Sequence, residues 1–272
     1  MMRIDVLNFS GIYDQEAFYR DVEGLRLLDL TGISGTNCMC DDAAKELLVR
    51  AIGGDGSDGD GRESVPGSQA PRGLHFIDNG NYHYVSAIYT GFIREPFSLV
   101  VLDHHPDMQR PMFDILSCGG WVLNVIENNP FVRDIHIIGA DAGLISQLDE
   151  KSRERVKFYD NPRVLPETQY PIYLSIDKDV ISRDELVTNW DQGDLTREQV
   201  LAFVKALLTR EGSVEVENAD GNGHGIIGVD ICGECAPEQE DCDLDAAIAG
   251  NQRFNREVMQ EIVQIWADER II

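Results

Sequence analysis

Short apolar stretches alternate with longer amphipathic segments along this chain. Residues 98–102 (SLVVL) and 226–231 (IIGVDI) are apolar at nearly every position, which is typical of strands that helices cover on both faces. Residues 244–268 repeat apolar side chains every three or four positions, which predicts an amphipathic helix. The alternation predicts an α/β protein with a mostly parallel sheet of about eight strands. We expect strands at residues 3–8, 25–30, 73–78, 98–103, 134–139, 155–160, 172–177 and 226–231, and helices at 41–52, 83–91, 120–127, 196–209 and 244–268.

One segment departs from this alternation. Residues 53–69 (GGDGSDGDGRESVPGSQ) are rich in glycine, aspartate and serine and have too few apolar side chains to pack. No register of this segment gives the ligand pattern of an EF-hand calcium loop. We therefore expect a mobile surface loop here. Since no other linker and no repeat is evident, we predict a single domain over residues 1–272.

The charge balance narrows the classes of partner. The chain has 272 residues, of which 48 are acidic and 23 are basic, and a formal net charge of −25. Such a charge disfavours nucleic acids and anionic membrane surfaces as partners. No apolar run approaches the roughly 20 residues that cross a bilayer, and the first residues lack the basic start of a signal peptide. We expect a cytoplasmic protein that acts on a small molecule.

The expected cytoplasmic location also bears on the state of the six cysteines. Cys232 and Cys235 form a C-x-x-C pair, and Cys38 and Cys40 could complete a structural zinc site. The spacing is not a strong zinc pattern, and in the cytoplasm reduced thiols are the rule. Ordinary buried or loop cysteines are the preferred interpretation.

Two predicted strands end in residues that can bind metal ions. Residues 99–102 run directly into Asp103, His105 and Asp107, separated by His104 and Pro106. Alternate residues of an extended segment project to one side, so these three side chains can converge. The carboxyl edge of an α/β sheet is also where ligand sites gather. The sequence therefore predicts a metal site at this edge.

A second strand end repeats the design. Residues 171–176 lead into Asp177 and Asp179, with Lys178 between them. Two buried carboxylates repel each other and lose their hydration, so a cation beside them is expected. That cation is either a metal ion or the ammonium group of Lys178.

These strand ends resemble the D-x-H-x-D and D-x-D motifs of the ureohydrolase family, which includes arginase and agmatinase. Residues 79–83 (NGNYH) are similar to the family's G-G-D-H-S motif, and the three motifs stand in the family's order. Residues 191–198 and 228–234 are similar to later family segments. The resemblance implies a divergent arginase-like member with a three-layer α/β/α, arginase/deacetylase-like fold.

The resemblance also implies a site with two Mn²⁺ ions, or with other divalent ions such as Zn²⁺ or Fe²⁺. Carboxylate and imidazole ligands without thiolate suit Mn²⁺. In the family a hydroxide that bridges the metals attacks a C–N bond, here of a small guanidino, amidino or related amide substrate. Asp107 is counted with the catalytic residues as well as with the ligands. One ion would be held by His83, Asp103, Asp107 and Asp177, and the other by Asp103, His105, Asp177 and Asp179.

Departures from the family pattern put arginine itself in doubt as the substrate. Tyr82 stands where the family has an aspartate before the metal-binding histidine. Residues 117–121 (SCGGW) occupy the place of a segment whose histidine shuttles protons in arginases. Residues 108–110 replace the small polar residues that contact the amino-acid end of arginine.

Three further residues are candidates for the substrate pocket. Arg110 either clamps a substrate carboxylate or forms a salt bridge with an acidic neighbour. Trp190 either forms a wall of the pocket or simply packs, and the first is the preferred interpretation. Glu234 follows the last strand, where it binds a cationic substrate, moves protons, or is simply solvated.

Two other functions remain open at this point. A deacetylase-like amidohydrolase with a single zinc ion shares the fold, although the presence of His83, Asp107 and Asp179 favours two metals. A metal-binding scaffold without catalysis would keep the site and lack the shuttle histidine. Related enzymes form trimers or hexamers, so a homo-oligomer is possible.

Overall fold

The computed structural model describes residues 3–54, 67, 69–110, 112–210 and 225–268. Most of the predicted mobile loop, residues 55–66 and 68, lies outside the described residues. The strands in the described part are β1 (Ile4–Asn8), β2 (Arg26–Asp29), β3 (Met39–Cys40), β4 (Gly73–Ile77), β5 (Phe97–Leu102), β6 (Leu116–Ser117), β7 (Val132–Ile138), β8 (Lys157–Tyr159), β9 (Ile172–Asp177) and β10 (Ile226–Cys232).

Eight of these strands form one parallel sheet in the order β2-β1-β4-β10-β9-β5-β7-β8. All eight predicted strands are present, and the prediction of a mostly parallel sheet is confirmed. The remaining two, β3 and β6, pair as an antiparallel ribbon that the sequence does not predict. Two residues per strand are too few to display an alternating pattern.

The helices in the described residues are α1 (Asp42–Gly53), α2 (Val85–Thr90), α3 (Trp121–Asn128), α4 (Ala142–Ser146), α5 (Glu150–Arg153), α6 (Arg197–Leu208) and α7 (Leu244–Asp268). The five predicted helices are confirmed as α1, α2, α3, α6 and α7. The sequence does not predict α4 and α5, because a helix of one turn leaves no periodic pattern to detect. Within the described residues, no helix is both long and apolar enough to cross a membrane.

Helices cover both faces of the sheet and produce three layers. On β5, Val100 and Leu102 pack into the apolar core shared with α6 and α7. Leu99 and Val101 of the same strand pack into the core shared with α1, α2 and α3. Both faces of the central strands are buried for this reason, which explains their continuous apolar sequences.

The strand order brings three chain segments to one place. The strands β4, β10, β9 and β5 are neighbours at the centre of the sheet and run in the same direction. Their carboxyl ends therefore meet at one edge. The residues that follow β4, β5 and β9 are the three predicted metal motifs, so the fold places them side by side.

Candidate metal site

His83 faces three carboxylates. It follows a short 3-10 turn (Gly80–Tyr82) after β4, and its side chain is 1% exposed. Its Nδ1 lies 3.3 Å from Oδ2 of Asp103, 3.1 Å from Oδ2 of Asp107 and 3.2 Å from Oδ2 of Asp177. One ring nitrogen thus lies close to carboxylate oxygens from two strand ends.

His105 forms the second half of the cluster. Its Nδ1 lies 2.9 Å from Oδ2 of Asp179 and 3.6 Å from Oδ1 of Asp103. Asp103 therefore turns one carboxylate oxygen to each histidine. The structure brings together all six residues that the sequence predicts as metal ligands.

The way these residues converge differs from the expected extended segment. No strand continues beyond Leu102, and Asp103 accepts a hydrogen bond from the backbone N–H of His105 through Oδ1 at 2.6 Å. Asp107 has a left-handed backbone with φ of 47°. Lys178–Val180 likewise forms a 3-10 turn, in which Asp177 accepts from the N–H of Asp179 at 3.0 Å. Tight turns capped by the ligand carboxylates, rather than strand alternation, gather the side chains.

The cluster has the donor set of a divalent metal site. Both Nδ1 of His83 and Oδ2 of Asp103 are buried without a hydrogen-bond partner, although they face each other. Among the described residues, the three groups that could hold a metal ion consist of His and Asp without cysteine. Such oxygen and imidazole donors suit Mn²⁺, Zn²⁺ or Fe²⁺. The residues therefore fit the two divalent metal ions that the family resemblance implies.

Charge crowding shifts the pKa values of the cluster. Burial, reinforced by the charge of Asp103, raises the pKa of Asp107 to about 7. Burial also raises the pKa of Asp179 well above its usual range, with further contributions from Asp177 and Asp103. Burial would lower the pKa of His83, but the three surrounding carboxylates raise it well above the usual value. A divalent cation relieves the same repulsion among these oxygens.

A hydrogen-bonded chain of three residues holds His83 from behind. Nε2 of His83 lies 2.9 Å from Oγ of Ser175, which donates to Oδ1 of Asp230 at 2.5 Å. Because the hydroxyl proton goes to Asp230, Oγ accepts from the Nε2–H of His83. Nδ1 is then the ring nitrogen that would exchange its proton for a metal ion, while Nε2–H is held as a metal-binding histidine needs.

This chain places the carboxylate of Asp230 behind His83. The sequence analysis does not find it, although two signals exist. Ser175 precedes Asp177 by two residues on β9 and so shares its side of the strand. Asp230 is a charged residue in an otherwise apolar strand, and its side chain is fully buried. A charge in such a strand indicates a buried partner.

We expect Ser175→Ala to weaken metal binding by about 10- to 100-fold, because the tautomer and ring orientation of His83 are no longer held. Titration of the metal-free protein with Mn²⁺ in a calorimeter measures the change. Thr90→Ala is the matched control, since Thr90 is also fully buried and its hydroxyl donates to the backbone carbonyl of Ser86 at 2.8 Å. Equal affinities of the two variants would contradict the assignment.

Trp121, which lies in the segment without the shuttle histidine, positions Asp107. Its indole Nε1 donates to Oδ2 of Asp107 at 2.7 Å, and its ring lies 4.8 Å from that of His83. Trp121 is fully buried at the start of α3. The sequence analysis does not assign this role to the residue.

Lys178 lies in a separate buried network. Its ammonium group pairs with Glu234 and donates to Oδ1 of Asn255 at 3.2 Å, and its side chain is 0% exposed. The ammonium group therefore does not separate Asp177 from Asp179, and that alternative is wrong.

Glu234 is held in the same network. Its Oε1 accepts from Lys178, from Nδ2 of Asn255 at 2.7 Å and from Oη of Tyr13 at 3.4 Å. The side chain is buried, so the alternative of a solvated residue is wrong. The structure does not bring Glu234 to the cavity at the metal cluster, because its carboxylate is engaged by Lys178.

The neighbouring Glu16 predicts a pH dependence of stability. Burial, and then the charge of Glu234, raises the pKa of Glu16 from 4.5 to about 10. Between these pH values the folded state keeps a proton that the unfolded state releases, so stability falls as the pH rises. We expect Glu16→Gln to remove this loss, so that its gain in unfolding free energy over the natural protein grows from pH 5 to pH 9. Urea unfolding at several pH values measures the gain.

The control for this experiment is Glu46→Gln, because Glu46 lies on the surface of α1 with a side chain that is 74% exposed. The stability of this variant should follow the natural protein at every pH. A gain for Glu16→Gln that does not change with pH would contradict the prediction.

A cavity of about 840 Å³ opens above the cluster. The six candidate ligands line it, together with Trp190 and Arg110. Arg110 is 62% exposed, with its guanidinium 3.2 Å from Oε1 of Glu127 and 4.0 Å from Oδ2 of Asp149. The salt-bridge alternative for Arg110 is thus observed.

Comparisons with known proteins were made by sequence and by structure. No family model matches the chain. An uncharacterized protein from Thermotoga maritima is 25% identical over 245 residues, which cover 86% of this chain and 80% of that protein.

Solved structures with a similar fold include three named enzymes. Proclavaminate amidino hydrolase from Streptomyces clavuligerus has a TM-score of 0.60 at 11% identity, covering 96% of this chain and 92% of that one. Arginase from Bacillus subtilis has a TM-score of 0.60 at 12% identity, with 95% and 98% covered. Formimidoylglutamase from Bacillus subtilis has a TM-score of 0.59 at 12% identity, with 96% and 86% covered. This chain therefore has the three-layer α/β/α fold of the arginase-like ureohydrolases, in a strongly diverged sequence.

Proposed function

We propose that this protein is a hydrolase that cleaves a C–N bond in a small guanidino, amidino or related amide substrate with the help of two divalent cations, Mn²⁺ foremost. One observation carries the proposal. The unpartnered Nδ1 of His83 and the ring of His105 face opposite oxygens of the same buried carboxylate, Asp103. This arrangement supports the proposal of two adjacent metal sites that share Asp103 as a ligand.

The residues of the chain divide into two ligand sets. When bound, two such cations polarise the substrate and lower the pKa of a coordinated water. Ser175 and Asp230 hold the Nε2–H side of the His83 ring, so that Nδ1 would be its ligand atom, and Trp121 holds Asp107. The first set would be His83, Asp103, Asp107 and Asp177, and the second Asp103, His105, Asp177 and Asp179.

A metal-binding scaffold without turnover is the second candidate, because a specific observation favours it. Among the described residues that line the cavity, His83 and His105 are the only histidines, and both belong to the ligand sets. No further imidazole is therefore in place to protonate a leaving amine. The carboxylates of the cavity, including Asp149, are the remaining groups that could do so.

Elemental analysis and a turnover panel test the proposal. The metal-loaded protein is expected to hold two divalent ions per chain and to release amine or ammonia from at least one amidine, guanidine or acylated amine. One zinc ion per chain with turnover of acylated amines alone would indicate the deacetylase-like alternative. Two ions per chain without turnover of any compound in the panel would indicate the metal-binding scaffold instead.

A further inference from the structure

We propose that the substrate carries an apolar substituent and no carboxylate, so that its head meets the metal cluster while its tail lies along an apolar wall. This inference rests on the proposed function for the head group alone. The apolar wall consists of six side chains that line the cavity outside the ligand sets: Met39, Pro106, Met108, Leu144, Leu148 and Trp190.

Parts of this wall are exposed although they are large and apolar. Met39 is 51% exposed on the short ribbon of β3 and β6, and Trp190 is 39% exposed. The helix α4 carries Leu144 into the lining and buries none of its own residues. Exposed apolar surface concentrated in one concave place is typical of a ligand site.

Trp190 is held in a fixed position. Its Nε1 donates to Oδ1 of Asn81 at 2.9 Å. Its ring also packs against Gly80, where a Cβ atom would come within 2.6 Å of Cδ1 of the indole. Glycine in the turn before His83 thus makes room for the indole. A surface side chain without a role would not require such an arrangement.

The charges around the cavity disfavour an anionic substrate. Among the described lining residues, Arg110 is the only arginine or lysine, and Glu127 and Asp149 already lie at its guanidinium. Asp191 adds a further carboxylate 3.2 Å from Nε2 of His105. A substrate carboxylate would meet this negative rim in a chain of net charge −25.

The size of the cavity agrees with a substituted substrate. Its volume of about 840 Å³ lies within the range of pockets that enclose ligands of about drug size. A free guanidine or amidine would leave most of the apolar wall in contact with water. An alkyl or aryl tail on the head group would cover that wall, and burial of its carbon atoms would strengthen binding.

Calorimetric binding of two homologous series tests the inference on the Mn²⁺-loaded protein. The probes are n-alkylguanidines and N-alkylacetamides with chains of two to six carbons. We expect the affinity in at least one series to rise about two- to fourfold with each methylene. Butylguanidine should bind at least about tenfold more tightly than its analogue with a terminal carboxylate.

Variants locate the effect on the wall. Leu144→Ala and Leu148→Ala should each reduce the gain per methylene. Leu47→Ala should leave it unchanged, since Leu47 is 49% exposed on α1 and lies outside the cavity. An affinity that does not depend on chain length, or no binding in either series, would overturn the inference. The inference would also be overturned if the carboxylate analogue bound more tightly than butylguanidine and if Arg110→Ala abolished that preference.

The outcomes for the tail and for the head group are separate. Turnover of short substrates with an affinity that ignores chain length would refute the apolar tail and leave the proposed function standing. Binding that grows with chain length, without turnover of any probe, would support the tail and refute the hydrolase.

Discussion

Replacing Asp103 with alanine is expected to abolish binding of both metal ions. Its two carboxylate oxygens face His83 and His105 separately, so each ion loses a ligand and part of its charge balance when the side chain is removed. Asp177→Ala should have the same effect, because the family resemblance implies that Asp177 is the second shared ligand. Elemental analysis after dialysis against Mn²⁺ measures the number of ions per chain.

Asp149→Ala is the matched control, because Asp149 lines the same cavity and belongs to neither ligand set. This variant should keep two ions. Loss of one buried carboxylate also relieves repulsion, so the metal-free Asp103→Ala protein is expected to fold. Retention of two ions by either ligand variant would refute the shared positions.

Glu234→Gln is expected to lower the free energy of unfolding by about 3–5 kcal/mol, because it leaves the ammonium group of Lys178 buried without its counter-charge. Urea unfolding measures the loss. Glu261→Gln breaks the partly exposed pair with Lys205, whose atoms lie 2.8 Å apart, and should cost no more than about 1 kcal/mol.

A double variant separates this structural role from the predicted role in the cavity. Replacing both Lys178 and Glu234 with methionine removes the two charges together and should recover much of the lost stability. If Glu234→Gln instead keeps full stability while kcat falls or KM rises, the carboxylate acts on substrate as the sequence predicts. That result would contradict the position observed for the side chain.

The sheet could be predicted because its strands are buried on both faces. Runs such as 98–102 have an apolar side chain toward each layer of helices, and no surface helix has that pattern. The ribbon of β3 and β6 and the single-turn helices α4 and α5 escape prediction, since two to five residues show no period. These short elements nevertheless carry Met39 and Leu144 into the cavity.

The metal cluster could be predicted from residue types, but its neighbours could not. The alternation of Asp103, His105 and Asp107 correctly indicates convergence, although the left-handed backbone of Asp107 shows that a turn produces it. The pairing of Lys178 with Glu234 joins the turn after β9 to the segment after β10. Such a contact depends on strand order, which apolar patterning does not specify.

The three segments that supply the candidate ligands also determine how the folded chain can open. His83 follows β4, Asp103 follows β5 and Asp177 ends β9, and β10 lies between β4 and β9 in the sheet. An ion shared among these segments acts as a cross-link between parts of the chain that are distant in sequence. Fraying of this edge must then release the ions first, so hydrogen exchange of its backbone amides becomes linked to the concentration of free metal. This edge of the sheet would thereby be better protected in the metal-loaded protein than after chelation.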